Sequence, residues 1–386
     1  MSSIVLPRIM EIGGGAVSHL PRILQSIGSK NPLIVTDNVM VQLGYLAVLQ
    51  SILQGTGIDS DVYADTVPEP TAASIQAGIK KVQSEQFDAV IALGGGSPID
   101  SAKAIAVMGK FGGTVNEYRF PRQFNEQGLP IIAIPTTAGT GSECTRFTII
   151  TDEKTDEKLL CMGAGFMPVA AIIDYELTLS VPARTTADTG IDAMVHAIEA
   201  YVSRKANPYS DSQAIAAMQL IGPNLRRVYH DGNNKAAREA MMLGSTLAGI
   251  AFSNASVALV HGMSRPLGAF FHVPHGLSNA MLLPAVTRFS LEADKKRYAE
   301  CARTLTFAKL TDSDSVACEK LLGTLADLNE ELSVPTPQQF GIDKVRFFAM
   351  VETMAKQAEA SGSPGNNPRV PTVAEMVTIY KQLWNE

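Results

Sequence analysis

The sequence predicts an α/β N-terminal domain on a mostly parallel sheet, residues 1–180, followed by an all-α C-terminal domain, residues 181–386. Three observations carry this. The first half alternates short apolar runs with stretches of helical period. That alternation stops near Ser180, and long helical stretches follow. At 386 residues the chain is long for one core, and 46% hydrophobic against 18% charged residues supply enough apolar surface for two.

Strands are expected at Leu33–Thr36, Asp61–Ala64, Ala89–Leu93, Ile131–Ile134, Phe147–Thr151 and Ala171–Ile173. Helical stretches such as Ala72–Ser84 and Ile99–Met108 separate several of them, as a doubly wound sheet requires. Val181-Pro182 reads as the joint. Helices are then expected at Thr185–Arg204, Ser210–Tyr229, Lys235–Ala251, Glu292–Phe307, Ser315–Leu332 and Thr372–Trp384. Ser361–Pro371 (SGSPGNNPRVP) reads as a turn or mobile flap. The segment Ile4–Ile12 is expected to pair as a strand across a two-fold axis, which favours a homodimer.

Net charge is −6 with no basic block, which argues against nucleic acid or an anionic membrane as partner. No apolar run is long enough for a membrane span, and no export signal is read at the N-terminus. Cys144, Cys161, Cys301 and Cys318 form no CxxC pair and read as reduced thiols of a cytoplasmic protein.

Two turns in the first half suit phosphates. Phe87–Leu93 runs into Gly94-Gly95-Gly96-Ser97-Pro98, and Asp100 is expected to open the next helix. Glycines there let backbone amides approach a pyrophosphate, and the helix N-terminus adds partial positive charge. A tight turn without ligand has the same composition, and this is not GxGxxG. Ile131–Pro135 leads into Thr136-Thr137-Ala138-Gly139-Thr140-Gly141-Ser142, which offers donors to phosphates or ribose, or equally a capped helix start. Asp37 directly follows Thr36. A carboxylate at a strand's C-terminal edge can accept from an adenosine ribose and would repel a 2′-phosphate, favouring NAD over NADP; it would serve equally as a helix cap.

The second half holds Asp192, His196, His261 and His275. Asp192 and His196 are i and i+4 on one helix face. His261 ends an apolar stretch, and His275 sits in a Val-Pro-His-Gly turn. Four N/O ligands suit a first-row divalent cation such as Fe, Zn, Co or Mn; unrelated, satisfied histidines are the alternative.

Together, IVTDNVMVQLG, VPEPT, ALGGGSPIDSAKAI, AIPTTAGTGSE, TRFTIITDE, TGIDAMVHAIEAY, LVHGMSRPLGAF, VPHGLSNAMLLP and GNNPR resemble the iron-containing (group III metal-dependent) alcohol dehydrogenases end to end. The branch they resemble most contains lactaldehyde reductase and 1,3-propanediol dehydrogenase. The resemblance implies a dinucleotide-binding α/β domain, a helical metal-binding domain and an active site in the cleft between them. It implies metal ligation by Asp192, His196, His261 and His275, with Fe2+ ahead of Zn2+, Mn2+ or Co2+. It implies NAD(H) contacts from Asp37, Gly94, Gly95, Gly96, Ser97, Asp100, Thr136, Thr137 and Thr140, with Phe147, Lys158 and Leu177 flanking the cofactor. The substrate would be a small aldehyde or alcohol.

Three positions depart from the pattern. Arg265, four residues after His261, stands where this branch commonly has a second histidine. Arginine does not relay protons near neutral pH but holds anions bidentately, so a carboxylate, sulfonate or phosphonate on the aldehyde is expected; a local acid or the cofactor phosphates are the alternatives. His272 is the remaining imidazole near His275, either a proton relay or a surface residue. Glu69 stands where the family often has Asn, which puts the detail of the cofactor pocket in question. Two other functions fit the same strings less closely: an NAD- and metal-dependent lyase of the dehydroquinate synthase type, and a non-catalytic nucleotide- or metal-binding protein.

Overall fold

The computed structural model describes residues 3–384. The chain divides into two compact units, Ser3–Val181 and the segment from Pro182 onward.

The first unit contains β1 (Ile9–Ile12), α1 (Leu20–Ile27), β2 (Pro32–Val35), α2 (Asn38–Gln42), α3 (Tyr45–Gln54), β3 (Asp61–Tyr63), α4 (Gln76–Ser84), β4 (Ala89–Gly94), α5 (Gly96–Phe111), α6 (Val115–Tyr118), β5 (Ile131–Pro135), β6 (Phe147–Asp152), β7 (Glu157–Met162) and β8 (Ala170–Ile173). Six strands form one all-parallel sheet in the order β1-β8-β5-β4-β2-β3. Side chains alternate between its faces. Ile34, Ile91, Leu93, Ile132 and Ile134 pack with α1 and α3. Leu33, Val35, Val90, Ala92, Ile131 and Ala133 pack with α4 and α5. Burial on both faces explains why these strands read as continuous apolar runs.

The sheet differs from expectation in two places. Phe147–Asp152 is not part of it. It pairs antiparallel with the unforeseen β7, Asp152 opposite Glu157, because the polar Glu153–Asp156 segment folds back as a hairpin. Ile9–Ile12 joins the large sheet as an edge strand parallel to β8, Ile9 opposite Ala170. Asp174, just past β8, secures that edge: its buried carboxylate accepts from the N–H groups of Gly15, Val17 and Glu176, each at 3.1 Å.

The second unit is helical: α7 (Ala183–Val202), α8 (Pro208–His230), α9 (Lys235–Asn254), α10 (Leu259–Phe271), α11 (His275–Ser290), α12 (Lys295–Thr304), α13 (Asp314–Glu331), α14 (Lys344–Ala360) and α15 (Val373–Gln382). The sequence pattern missed α1, α3, α6, α10, α11 and α14. In α10 and α11 the internal Pro266 and Pro284 and the early glycines obscure the period. No single described helix is long and apolar enough to cross a membrane. Of the two readings of Ser361–Pro371, the structure has the turn, with a 3-10 stretch at Pro364–Asn366 packed against its neighbours. Ser363, Pro364, Asn366 and Asn367 are buried. Asn366 Nδ2 donates to Ser256 Oγ at 2.8 Å, and Asn367 Nδ2 donates to Ser290 Oγ at 2.9 Å.

Asp174→Ala strips three N–H groups of their shared acceptor, a loss of about 2 kcal/mol or more. A fall in Tm of roughly 4–8 °C is expected for a unit of this size, read by thermal denaturation. A melting curve matching the wild type would show that the N-terminal edge holds without this carboxylate.

Candidate metal centre

Asp192, His196, His261 and His275 converge, with one ligand atom from each within 4.8 Å of the others. Asp192 and His196 lie one turn apart on α7. His261 is in the first turn of α10, and His275 is the first residue of α11. Asp192 Oδ1 lies 3.5 Å from His261 Nε2 and 3.7 Å from His275 Nε2. Bonds of about 2.0–2.2 Å to a tetrahedral ion give ligand–ligand edges of roughly 3.3–3.6 Å, so this N3O set fits a first-row divalent cation. The stacked rings of Phe252, His196 and His261, with centroids 4.3 and 4.4 Å apart, wall one side. Asp192, His196 and His261 are buried, whereas the His275 side chain is 26% exposed, which leaves the site open there.

Local sequence explains the convergence. Gly276 lets α11 start against α7: a Cβ there would lie 2.3 Å from the Asp188 carbonyl oxygen, one turn before Asp192. Burial raises the Asp192 pKa, but the imidazoles of His196, His275 and His261 outweigh it and hold the carboxyl well below the usual range. Burial lowers the His261 pKa, and the bonded carboxylates of Asp192 and Glu199 more than restore it.

Two residues that the sequence reading passed over complete the site. Glu199, buried on α7, takes the Val260 N–H on Oε1 at 2.6 Å. Its Oε2 takes the Ala258 N–H at 2.8 Å and lies 2.7 Å from His261 Nδ1. Asn279, buried on α11, donates from Nδ2 to Asp192 Oδ1 at 2.6 Å. The same Nδ2 lies 3.2 and 3.3 Å from His261 Nε2 and His275 Nε2, while its Oδ1 has no hydrogen-bond partner. The signal was there in part: Glu199 is i+3 from His196 and i+7 from Asp192, and Asn279 is i+4 from His275.

Arg265 lies one turn beyond His261 on α10. Its Nη1 donates to Ser363 Oγ at 3.0 Å, and its buried Nε has no hydrogen-bond partner. No ion pair of Arg265 with a carboxylate occurs among the described residues. Burial pushes its guanidinium down to about 10, with Glu199 pulling the other way. His272 is an exposed residue with φ 54° at the C-cap of α10 and lies outside the four-ligand cluster.

In the first unit, Asp37, Gly94, Gly95, Gly96, Ser97, Thr136, Thr137 and Thr140 lie at or just past the C-terminal ends of β2, β4 and β5, whereas Phe147 and Lys158 lie on the β6–β7 hairpin. The chain leaves β2 and β4 in opposite directions, so the crevice beyond these neighbours is a topological switch point. Asp37 follows β2 and caps α2, Oδ1 accepting from Met40 N at 2.9 Å. Gly94 ends β4 at φ 146°, where a Cβ would strike Pro98 at 2.6 Å. The helix opens at Gly96, with Gly95 as N-cap, not at Asp100. Thr136 N donates to Gly94 O at 3.0 Å, and Thr137 and Thr140 pack against Gly95 and Gly96. No capped α-helix starts in this threonine run; a short 3-10 turn follows at Ser142–Cys144. Ser97 Oγ accepts from Glu69 N at 3.2 Å, and Lys158 pairs with Glu69. Asp100, one turn inside α5, is a strut: its carboxylate takes Ser142 Oγ–H at 2.7 Å and Ile149 N–H at 2.9 Å. Buried Lys103 donates to Ser142 O at 2.7 Å, Thr145 Oγ1 at 2.9 Å and Phe147 O at 2.7 Å. Leu177 is packed in the core on the α1 face.

Comparison with known proteins agrees with both halves. Residues 7–175 match the model of iron-containing alcohol dehydrogenase, and residues 186–384 match that of the Fe-containing alcohol dehydrogenase family, C-terminal. The chain is 34% identical to the NAD-dependent methanol dehydrogenase of Bacillus methanolicus, over 99% of each. A crystal structure of 1,3-propanediol oxidoreductase superposes with a TM-score of 0.94 at 33% identity, covering 99% of this chain and 100% of that one. The sulfoacetaldehyde reductase of Bifidobacterium kashiwanohense, solved with NAD+, superposes with a TM-score of 0.88 at 28% identity, covering 100% of this chain and 99% of that one. The chain belongs to the iron-containing alcohol dehydrogenase family.

Proposed function

We propose that this protein is a metal-dependent NAD(H) alcohol dehydrogenase that reduces a small anionic aldehyde. The convergence of Asp192, His196, His261 and His275 carries the redox reading, and the 1,3-propanediol and methanol dehydrogenase relatives support it. Arg265 carries the substrate reading, and the sulfoacetaldehyde reductase relative supports it.

A divalent ion, when bound, supplies Lewis acidity to a carbonyl or alkoxide oxygen. NADH, when bound, supplies the hydride. The chain's own groups do the rest. Asp192 offers the one anionic ligand, and Asn279 holds its Oδ1 in place. Glu199 keeps the proton of His261 on Nδ1 and leaves Nε2 to face the ion. The apolar wall of Phe252 keeps water from His196. Arg265 binds the substrate's carboxylate, sulfonate or phosphonate through its unused N–H groups. At the sheet edge, the first N–H groups of α5 suit the pyrophosphate and Asp37 the adenosine ribose.

Three outcomes are expected. His275→Ala should release most bound metal, read by elemental analysis of purified protein, and abolish NADH oxidation with aldehyde; full metal content with normal turnover would refute the ligand set. The wild type should prefer NADH to NADPH, and Asp37→Gly should narrow that preference, since like-charge repulsion with a 2′-phosphate is removed. Equal use of both cofactors by the wild type would mean that Asp37 does not meet the ribose. Arg265→Ala should lower kcat/KM for an anionic aldehyde such as sulfoacetaldehyde by roughly ten- to a hundred-fold, the worth of a hydrogen bond to a charged group. Propanal should lose much less. Matching losses on both substrates would assign Arg265 to the fold or cofactor instead.

A further inference from the structure

Glu199, the last carboxylate of α7, has no ligand position in the quartet, yet its two oxygens meet three N–H donors or ring nitrogens. We propose that Glu199 is a positioning residue that sets how tightly the centre binds its ion, by fixing both the ring and the helix that present His261.

Two sets of contacts argue for this. The first is the tautomer. A carboxylate 2.7 Å from Nδ1 of a buried imidazole keeps the ring proton there, so the lone pair sits on Nε2, the atom 3.5 Å from Asp192 Oδ1. The second is the backbone. The N-cap of α10, Ala258, has no side chain able to cap, and Glu199 reaches from another helix to take the N–H groups of Ala258 and Val260. One side chain thus replaces a missing cap and orients the ligand one residue further on. Its charge also lies at the positive end of α10. Glutamine has the same shape but only one acceptor oxygen for three donors, and its amide N–H groups face N–H groups.

The proposal rests on the ligand assignment above, so the test separates the two. Metal-free wild type, Glu199→Gln, His275→Ala and Asn234→Ala are titrated with Co(II) against a competing chelator, with Tm of the metal-free proteins measured alongside. Asn234 caps α9 by accepting from Ala237 N at 3.1 Å, and its loss controls for destabilisation alone. Glu199→Gln is expected to weaken Co(II) binding about 10- to 100-fold, whereas Asn234→Ala lowers Tm and binds as the wild type does. If His275→Ala binds as tightly as the wild type, the ligand assignment fails. If His275→Ala loses the ion while folded Glu199→Gln binds within twofold of the wild type, the role of Glu199 fails. Should Glu199→Gln not fold, Glu199→Asp, which keeps the charge and shortens the reach, is titrated in the same way; unchanged affinity there overturns the proposal.

Discussion

Taking a carboxylate out of water costs several kcal/mol unless cations or hydrogen bonds meet it, and α7 buries two on one face, Asp192 and Glu199. The packing of the helical unit around that face follows from meeting this cost. Three imidazoles and the Asn279 amide surround Asp192. Two backbone N–H groups and His261 Nδ1 satisfy Glu199. His261 lies between the two carboxylates, one at each ring nitrogen, and so links the ligand cluster to the start of α10.

The same arrangement accounts for Arg265. Glu199 is the acid that offsets its charge, but both Glu199 oxygens are committed elsewhere. The guanidinium is left with one serine hydroxyl and a buried, unpartnered Nε, so its donors are not used up within the fold. The Ser363–Asn367 segment, held by its asparagine side chains, supplies that hydroxyl from a fixed position.

The sheet unit uses buried charge differently. Asp100 and Lys103 lie one turn apart on α5 and brace the Ser142 turn and β6 from below. Burial pushes the Lys103 ammonium down to about 8, with Asp100 and Glu143 pulling it back. These buried charges thus hold the Ser142 turn and the start of β6 in shape.

What the sequence determined by itself was local and periodic. Continuous apolar runs marked the parallel strands, since both sheet faces are covered. The i, i+4 spacing put Asp192 and His196 on one face, and glycine after a strand marked the turn at Gly94. Tertiary structure decided what depends on partners distant in sequence. Whether Phe147–Asp152 joined the large sheet turned on its pairing with the adjacent Glu157–Met162 run across the hairpin, which strand propensity alone does not decide. Asp100 became a strut because Ser142 and Ile149 lie beside it. Glu199 acquired its role only when α10 started against α7, 59 and 61 residues along the chain. Period and propensity report a residue's neighbours within one element; a buried polar group's partners come from other elements, and only the folded chain brings them within hydrogen-bonding distance.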